Sequence, residues 1–241
     1  MEHKDKGQMN RTGISCSPEN SQLLQEFADI CPAGPPGSSA DLAQLREVSV
    51  QEADTMGAVP EIGNGATAGR TAAQTGGTTS LPDLLIDKLG ERLAFERTSV
   101  RLYEAMLVKA EAQGQNGASL LDELRHFCDE EAEHFRKVSE CVTKLNRDPT
   151  AQTPAADAAA VASAGVLQVV SDPRAGLFQS LNALLAAELI DNAGWELLIM
   201  LSENCGHTQL VDQFRKALQE EDEHLSSATR WIKEIAVAQP H

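Results

Sequence analysis

The chain has 241 residues, enough for one sizeable core or two small ones, with only 4% aromatic residues and a net charge of −16. That charge argues against nucleic acid and anionic membranes as partners, since both call for a basic patch, and it suits cationic partners, metal ions included. The five cysteines (16, 31, 128, 141 and 205) include no C-x-x-C, so neither a disulfide framework nor a zinc knuckle is expected. The polar start leads into no apolar segment of a secretory signal, and no apolar run is expected to reach the roughly 18 residues of a membrane span. The expected location is the cytoplasm.

Residues 1–80 read as a largely disordered N-terminal tail or linker. Their Pro, Gly, Ala and Thr content offers too little apolar surface to offset chain entropy. Only two short stretches, about 20–30 and about 40–54, have helical texture. From Ser80 the pattern turns to long segments of helical period, and residues 81–237 are expected to form one bundle. The first helix is predicted over 82–112, with Pro82 in its first turn and Gly114 beyond its end. The second is predicted over 119–146, capped by Ser119 with Asp122 or Glu123 and ended by Asp148-Pro149. A connection over 147–172 contains a helical piece between Ala155 and Val170. The third helix is predicted from Asp172-Pro173 to Asn204, closed by Gly206, and the fourth over 208–236. No strand is expected. Two short turns imply antiparallel hairpins, and the long middle connection implies a crossover between them.

The chain also repeats. Residues 130–134 read Glu-Glu-Ala-Glu-His and residues 220–224 read Glu-Glu-Asp-Glu-His. Each places a Glu three residues before a His, Glu131 with His134 and Glu221 with His224, on one helix face. The other two helices carry Leu93-Ala94-Phe95-Glu96 and Leu185-Ala186-Ala187-Glu188. In all four helices the Glu interrupts an apolar stripe about 20 Å from the helix start, at 1.5 Å per residue. Antiparallel helices then bring four Glu and two His to one level. Buried carboxylates neutralise or find a cation, so the cluster is a candidate site for two metal ions. Glu130, Glu133, Glu220 and Glu223 fall off the stripe and are expected on a solvated face.

One Glu from each of two helices, with Glu-x-x-His from each of the other two, resembles the ferritin-like di-iron or di-manganese carboxylate superfamily. The order of motifs, with one crossover after the second helix, is similar to bacterioferritins and rubrerythrins. The resemblance implies an all-α ferritin-like four-helix bundle. It also implies that Glu131 and Glu221 bridge two metals as the catalytic pair, with Glu96 and His134, and Glu188 and His224, as terminal ligands. Rubrerythrins place a second carboxylate three residues after the third-helix ligand; Asp191 holds that place here, as an additional ligand or an acceptor behind the ligands. Paired C-x-x-C motifs are absent, so an electron donor would be a separate protein. Ala132 stands where bacterioferritins hold haem with Met, so no haem is expected. Cage formation is in doubt, because little chain follows the fourth helix; a homodimer is compatible with the pattern. Tyr103, on the stripe of Glu96, is a core packer or a hydrogen-bond partner to a ligand. Trp195 stands in the matching place and is expected in the core. Arg97 and Arg101 are candidates to pair with carboxylates.

Carboxylates with imidazoles suit two Fe ions, with Mn as the alternative. The function implied by the resemblance is oxidation of Fe(II) with O2 or H2O2, serving iron homeostasis or peroxide defence. The alternatives are a manganese catalase-like peroxide dismutase, a small-molecule oxygenase, and a non-catalytic, metal-stabilised bundle acting as an iron carrier or interaction protein.

Overall fold

The computed structural model describes residues 22, 23, 26, 27, 30, 38–53, 80–114 and 118–238, excepting the side chains of 118, 119 and 238. Every regular element among them is a helix: α1 (Ser39–Glu52), α2 (Leu81–Ala112), α3 (Ala118–Lys144), α4 (Pro154–Ser171), α5 (Leu177–Asn204) and α6 (Thr208–Ala238). The chain divides into two units, Met1–Asp54 and Thr55–His241. In the first, α1 is capped by Ser38, whose side chain accepts from the backbone of Ala40 and Asp41, and none of its residues is buried. Most of the tail expected over residues 1–80 lies outside the described residues.

In the second unit, local chemistry fixes the helix ends. Ser80 accepts from the Asp83 backbone at the start of α2, with Pro82 in the first turn. Gly114 (φ 73°) and Gly206 (φ 76°) follow α2 and α5 in the left-handed conformation that glycine adopts without strain, and Asn146 (φ 58°) does so after α3. The Ser119 cap expected for α3 falls on a side chain outside the described ones.

The antiparallel pairing of α2 with α3 is tied at both ends, by Arg125 to Glu111 (3.1 Å) and Arg147 to Asp83 (3.8 Å). Arg215 and Glu203 (2.7 Å) close the turn between α5 and α6. Helices α3 and α6 also run antiparallel: Glu123 accepts from Trp231 Nε1 (2.9 Å) near one end, and Cys141 Sγ donates to Gln213 (3.3 Å) near the other. The crossover helix α4 runs parallel to α2. Its first turn is bound to Asp87, through Thr153 Oγ1 to the carbonyl (3.1 Å) and Ala155 N–H to the carboxylate (2.8 Å). Thr153 presses on Gly90, where an added Cβ would lie 2.3 Å from Thr153 Cγ2.

Two expectations are corrected. Helix α5 does not start at Asp172-Pro173. The Asp172 N–H still bonds back to Gln168 and Val169 at the end of α4, Lys109 Nζ holds the carbonyls of Asp172 (2.7 Å) and Ala175 (2.8 Å), and the helix begins at Leu177 after an extended Gly176. A local cap signal is thus overridden by a lysine on α2. The second concerns the apolar run, because α4, 18 residues of mean hydropathy 1.3, is long and apolar enough to cross a membrane by length and composition alone. Here it is the crossover, burying Ala156, Ser163 and Val170 along one stripe.

The core of the bundle is split. One apolar cluster, including Met106, Leu124, Phe127, Leu181 and Trp231, fills one end, and another, including Leu89, Val138, Leu198 and Phe214, fills the other. At the level between them lies a layer of buried charge.

Candidate metal centre

Glu96, Glu131, His134, Glu188, Glu221 and His224 are all buried at mid-length of α2, α3, α5 and α6. The spacing argument places them there: each Glu follows the helical period of Leu and Phe residues that the core takes up, so it is carried inward with them. The structure brings the six into two groups. Glu96, Glu131, His134 and Glu221 form one, and Glu131, Glu188, Glu221 and His224 the other; within each, one ligand atom per residue lies within 4.8 Å of every other. Glu131 and Glu221 belong to both. Such sharing is what two adjacent cations require of bridging carboxylates.

The polar atoms at the centre are left without hydrogen bonds, although charged neighbours lie close. Both oxygens of Glu96, Glu131 and Glu221, Glu188 Oε2, and Nδ1 of both histidines are buried with no hydrogen-bond partner. A buried polar atom left unsatisfied is costly, and so many grouped together are compatible with a cation site. His134 Nδ1 lies 2.8 Å from Glu221 Oε1 and 3.8 Å from Glu96 Oε2, while His224 Nδ1 lies 3.1 Å from Glu221 Oε2 and 3.4 Å from Glu131 Oε1.

Charge crowding is read out in the titration of the metal-free cluster. Burial, then the charges of Glu221 and Glu96, pushes the Glu131 carboxyl well above the usual range. Burial, with Glu221 next, pushes Glu188 up to about 8. For Glu221 burial acts in the same direction, but the close imidazoles of His134 and His224 outweigh it and bring it down to about 2. Burial would lower both histidines; the surrounding carboxylates outweigh it and raise them.

Several surrounding residues are placed differently from expectation. Glu130 and Glu220 are not on a solvated face. Glu220 Oε2 accepts from His134 Nε2 (2.8 Å), and Glu130 Oε2 accepts from His224 Nε2 (3.0 Å). Each bond crosses between α3 and α6. Because a carboxylate only accepts, each Nε2 carries the proton and Nδ1 is turned to the centre. Only Glu223, and in part Glu133, face solvent as expected. The one sequence signal for these partners is the repeated Glu immediately before each central Glu; a single-helix projection puts it off the stripe, and only the neighbouring helix covers it.

Asp191 is buried, but it faces Arg92, which contacts its carboxylate through Nη1 and its backbone carbonyl at 3.0 Å. The same guanidinium reaches Glu96 Oε1 (3.4 Å) through Nε. Arg97 and Arg101 are exposed, so the arginine beside the buried carboxylates is Arg92 instead. Tyr103 is both buried and bonded: its hydroxyl donates to Glu188 Oε1 at 2.8 Å. Trp195 is in the core, edge-on to His134 with ring centroids 5.5 Å apart. Cys141 is buried, and Cys128 is half-buried with Sγ 3.7 Å from the Val100 carbonyl.

This geometry can be set beside known proteins. Residues 80–239 match the family model described as a domain of unknown function, DUF892. The chain belongs to the DUF892 family, a family of ferritin-like fold. No curated protein matches the sequence. Among solved structures, the DUF892 bundle is similar to that of a ferritin-like, diiron-carboxylate protein from Bacillus anthracis strain Ames, at TM-score 0.51 and 18% identity, over 64% of this chain and 99% of that one. At that identity the likeness establishes the fold alone. The DUF892 bundle is ferritin-like and holds a buried carboxylate and histidine cluster compatible with metal binding.

Proposed function

We propose that the bundle binds two iron ions side by side and oxidises Fe(II) with O2 or H2O2, in iron handling or peroxide defence. The observation that carries this reading is the pair of buried four-residue groups sharing Glu131 and Glu221. Hard carboxylate oxygens with two imidazole nitrogens suit iron or manganese, and four carboxylates balance two divalent ions. A bound pair of irons would supply two electrons together to O2 or peroxide.

The protein's part is to hold, orient and seal. Glu96 with His134, and Glu188 with His224, would hold one ion each, and Glu131 and Glu221 would be shared between them. Glu220 and Glu130 keep a proton on each Nε2 and so present Nδ1 inward. Tyr103 occupies Glu188 Oε1 and leaves Oε2 toward the centre. The apolar clusters on either side keep bulk water from the layer. Electrons for repeated turnover would come from a separate donor.

Anaerobic titration with Fe(II) should saturate near two per chain, as the inventory of six ligands implies. Adding O2 or H2O2 should then raise ferric absorption in the near-ultraviolet, and comparing their rates separates iron handling from peroxide defence. Glu131→Ala should abolish the signal. Failure to bind iron would overturn the reading. Peroxide disproportionation with Mn(II) and not with Fe(II) would favour the catalase-like alternative.

A further inference from the structure

The two halves of the bundle repeat with an offset of about 90 residues, yet the surroundings of the two proposed cation positions differ. At the repeat's offset, Arg92 corresponds to Leu184, Ser99 to Asp191 and Tyr103 to Trp195. The Glu188–His224 side therefore has a neutral phenol on its terminal carboxylate, and the Glu96–His134 side has a guanidinium. That guanidinium cannot swing away. It lies over Phe95 (4.6 Å to the centroid) and near the Trp195 ring (5.5 Å), it is tied to Asp191, and a Cβ at Gly194 would sit 3.0 Å from its Cζ, Nη1 and Nη2. Glycine at 194 makes the room it occupies.

We propose that the two positions are unequal: a divalent cation fills the Glu188–His224 position first, and Arg92 makes the Glu96–His134 position the weaker, exchangeable one. This rests on the metal-binding reading above. Arg92 stands 3.4 Å from Glu96 Oε1 and repels an incoming cation, whereas Tyr103 bonds Glu188 Oε1 without bringing a charge. Asp191 offsets part of the repulsion. Unit charges a few ångströms apart in a protein environment leave a gap of about tenfold or more in affinity.

Mn(II) is a suitable probe, read by paramagnetic resonance and calorimetry on the full chain. The first equivalent should give the six-line signal of an isolated ion. A second step, at least about tenfold weaker, should convert it to the broadened signal of a coupled pair. His224→Ala should remove the tight step, and His134→Ala should keep it. Arg92→Gln combined with Asp191→Asn, which removes both charges together, should narrow the gap. Two equal steps, a coupled pair from the first equivalent, or loss of the tight step with His134→Ala would overturn the inequality and leave the two-metal reading standing. An undiminished gap in the double variant would overturn the role given to Arg92. No Mn(II) binding by the wild type would overturn the inequality as proposed for a divalent cation, and no Fe(II) binding in the anaerobic titration as well would overturn both readings.

Discussion

Glu131→Gln should stabilise the metal-free bundle while removing its response to metal. Glu131 is buried and crowded by Glu221 and Glu96, and burial first, then those charges, hold its carboxyl well above the usual value of 4.5. A carboxyl whose folded pKa is raised makes the folded state lose stability as pH rises above the unfolded pKa. At pH 7.5 the ceiling on that loss is about 3 pH units at about 1.4 kcal/mol each, or about 4 kcal/mol. His224 Nδ1, 3.4 Å from Glu131 Oε1, favours the charged form and reduces the penalty, so about 2 kcal/mol is the working figure. Gln has the same shape and no charge to desolvate. For a domain of this size 2 kcal/mol raises the melting temperature by about 4–8 °C. With chelator present, calorimetric melting should place Glu131→Gln above wild type by that amount. With Mn(II) at about 100 times its dissociation constant, wild type should gain about 2.7 kcal/mol and the variant much less. Glu133→Gln is the control: Glu133 is partly exposed beside Arg136, and its loss should change stability by less than about 1 kcal/mol. A chelated Glu131→Gln protein melting at or below wild type, or one keeping the full metal response, would refute the reasoning.

In the metal-free protein, stability should fall as pH rises from about 5 to 8. Glu188 titrates up to about 8 and Glu131, Asp191 and His224 are also raised, so the folded state holds protons that the unfolded state releases; chelated melting curves across that range check the sign. Glu220→Ala and Glu130→Ala should each weaken metal binding by about 10- to 100-fold, because a histidine loses the acceptor that fixes its tautomer. Gln at either position should restore most of it; a fully normal affinity in both Ala variants would show that these contacts position nothing. Tyr103→Phe should cost about 1 kcal/mol of stability by removing the hydroxyl from Glu188, read by denaturant melts with and without metal. Gly90→Ala should destabilise the bundle by about 1–3 kcal/mol, since the new methyl meets Thr153 at the start of α4; an unchanged melting point would mean the crossover yields freely.

The sequence alone determined the long helices of the bundle and their pairing into two hairpins, with the ferritin-like architecture implied by the resemblance of its Glu and Glu-x-x-His motifs. The helices and hairpins follow from local quantities: the helical period of Leu, Phe and Val, the left-handed glycines at 114 and 206, and loops too short to permit anything but an antiparallel return. The level of Glu96, Glu131, Glu188 and Glu221 follows in the same way, because residue count along a helix is distance. What the tertiary structure decided is everything carried by one helix for another. Glu130 and Glu220 look solvent-facing on their own helices and become histidine partners only because α3 and α6 run side by side, each covering the other's off-stripe carboxylate. Asp172 looks like a helix start until Lys109, 63 residues away, holds its carbonyl. Arg92 reads as one charge among many on α2 until the missing side chain of Gly194 on α5 gives it a buried place between Glu96 and Asp191. A helical pattern reports which face of its own helix is apolar; what presses on the remaining faces is set by the packing of elements some ninety residues apart, which no local pattern contains.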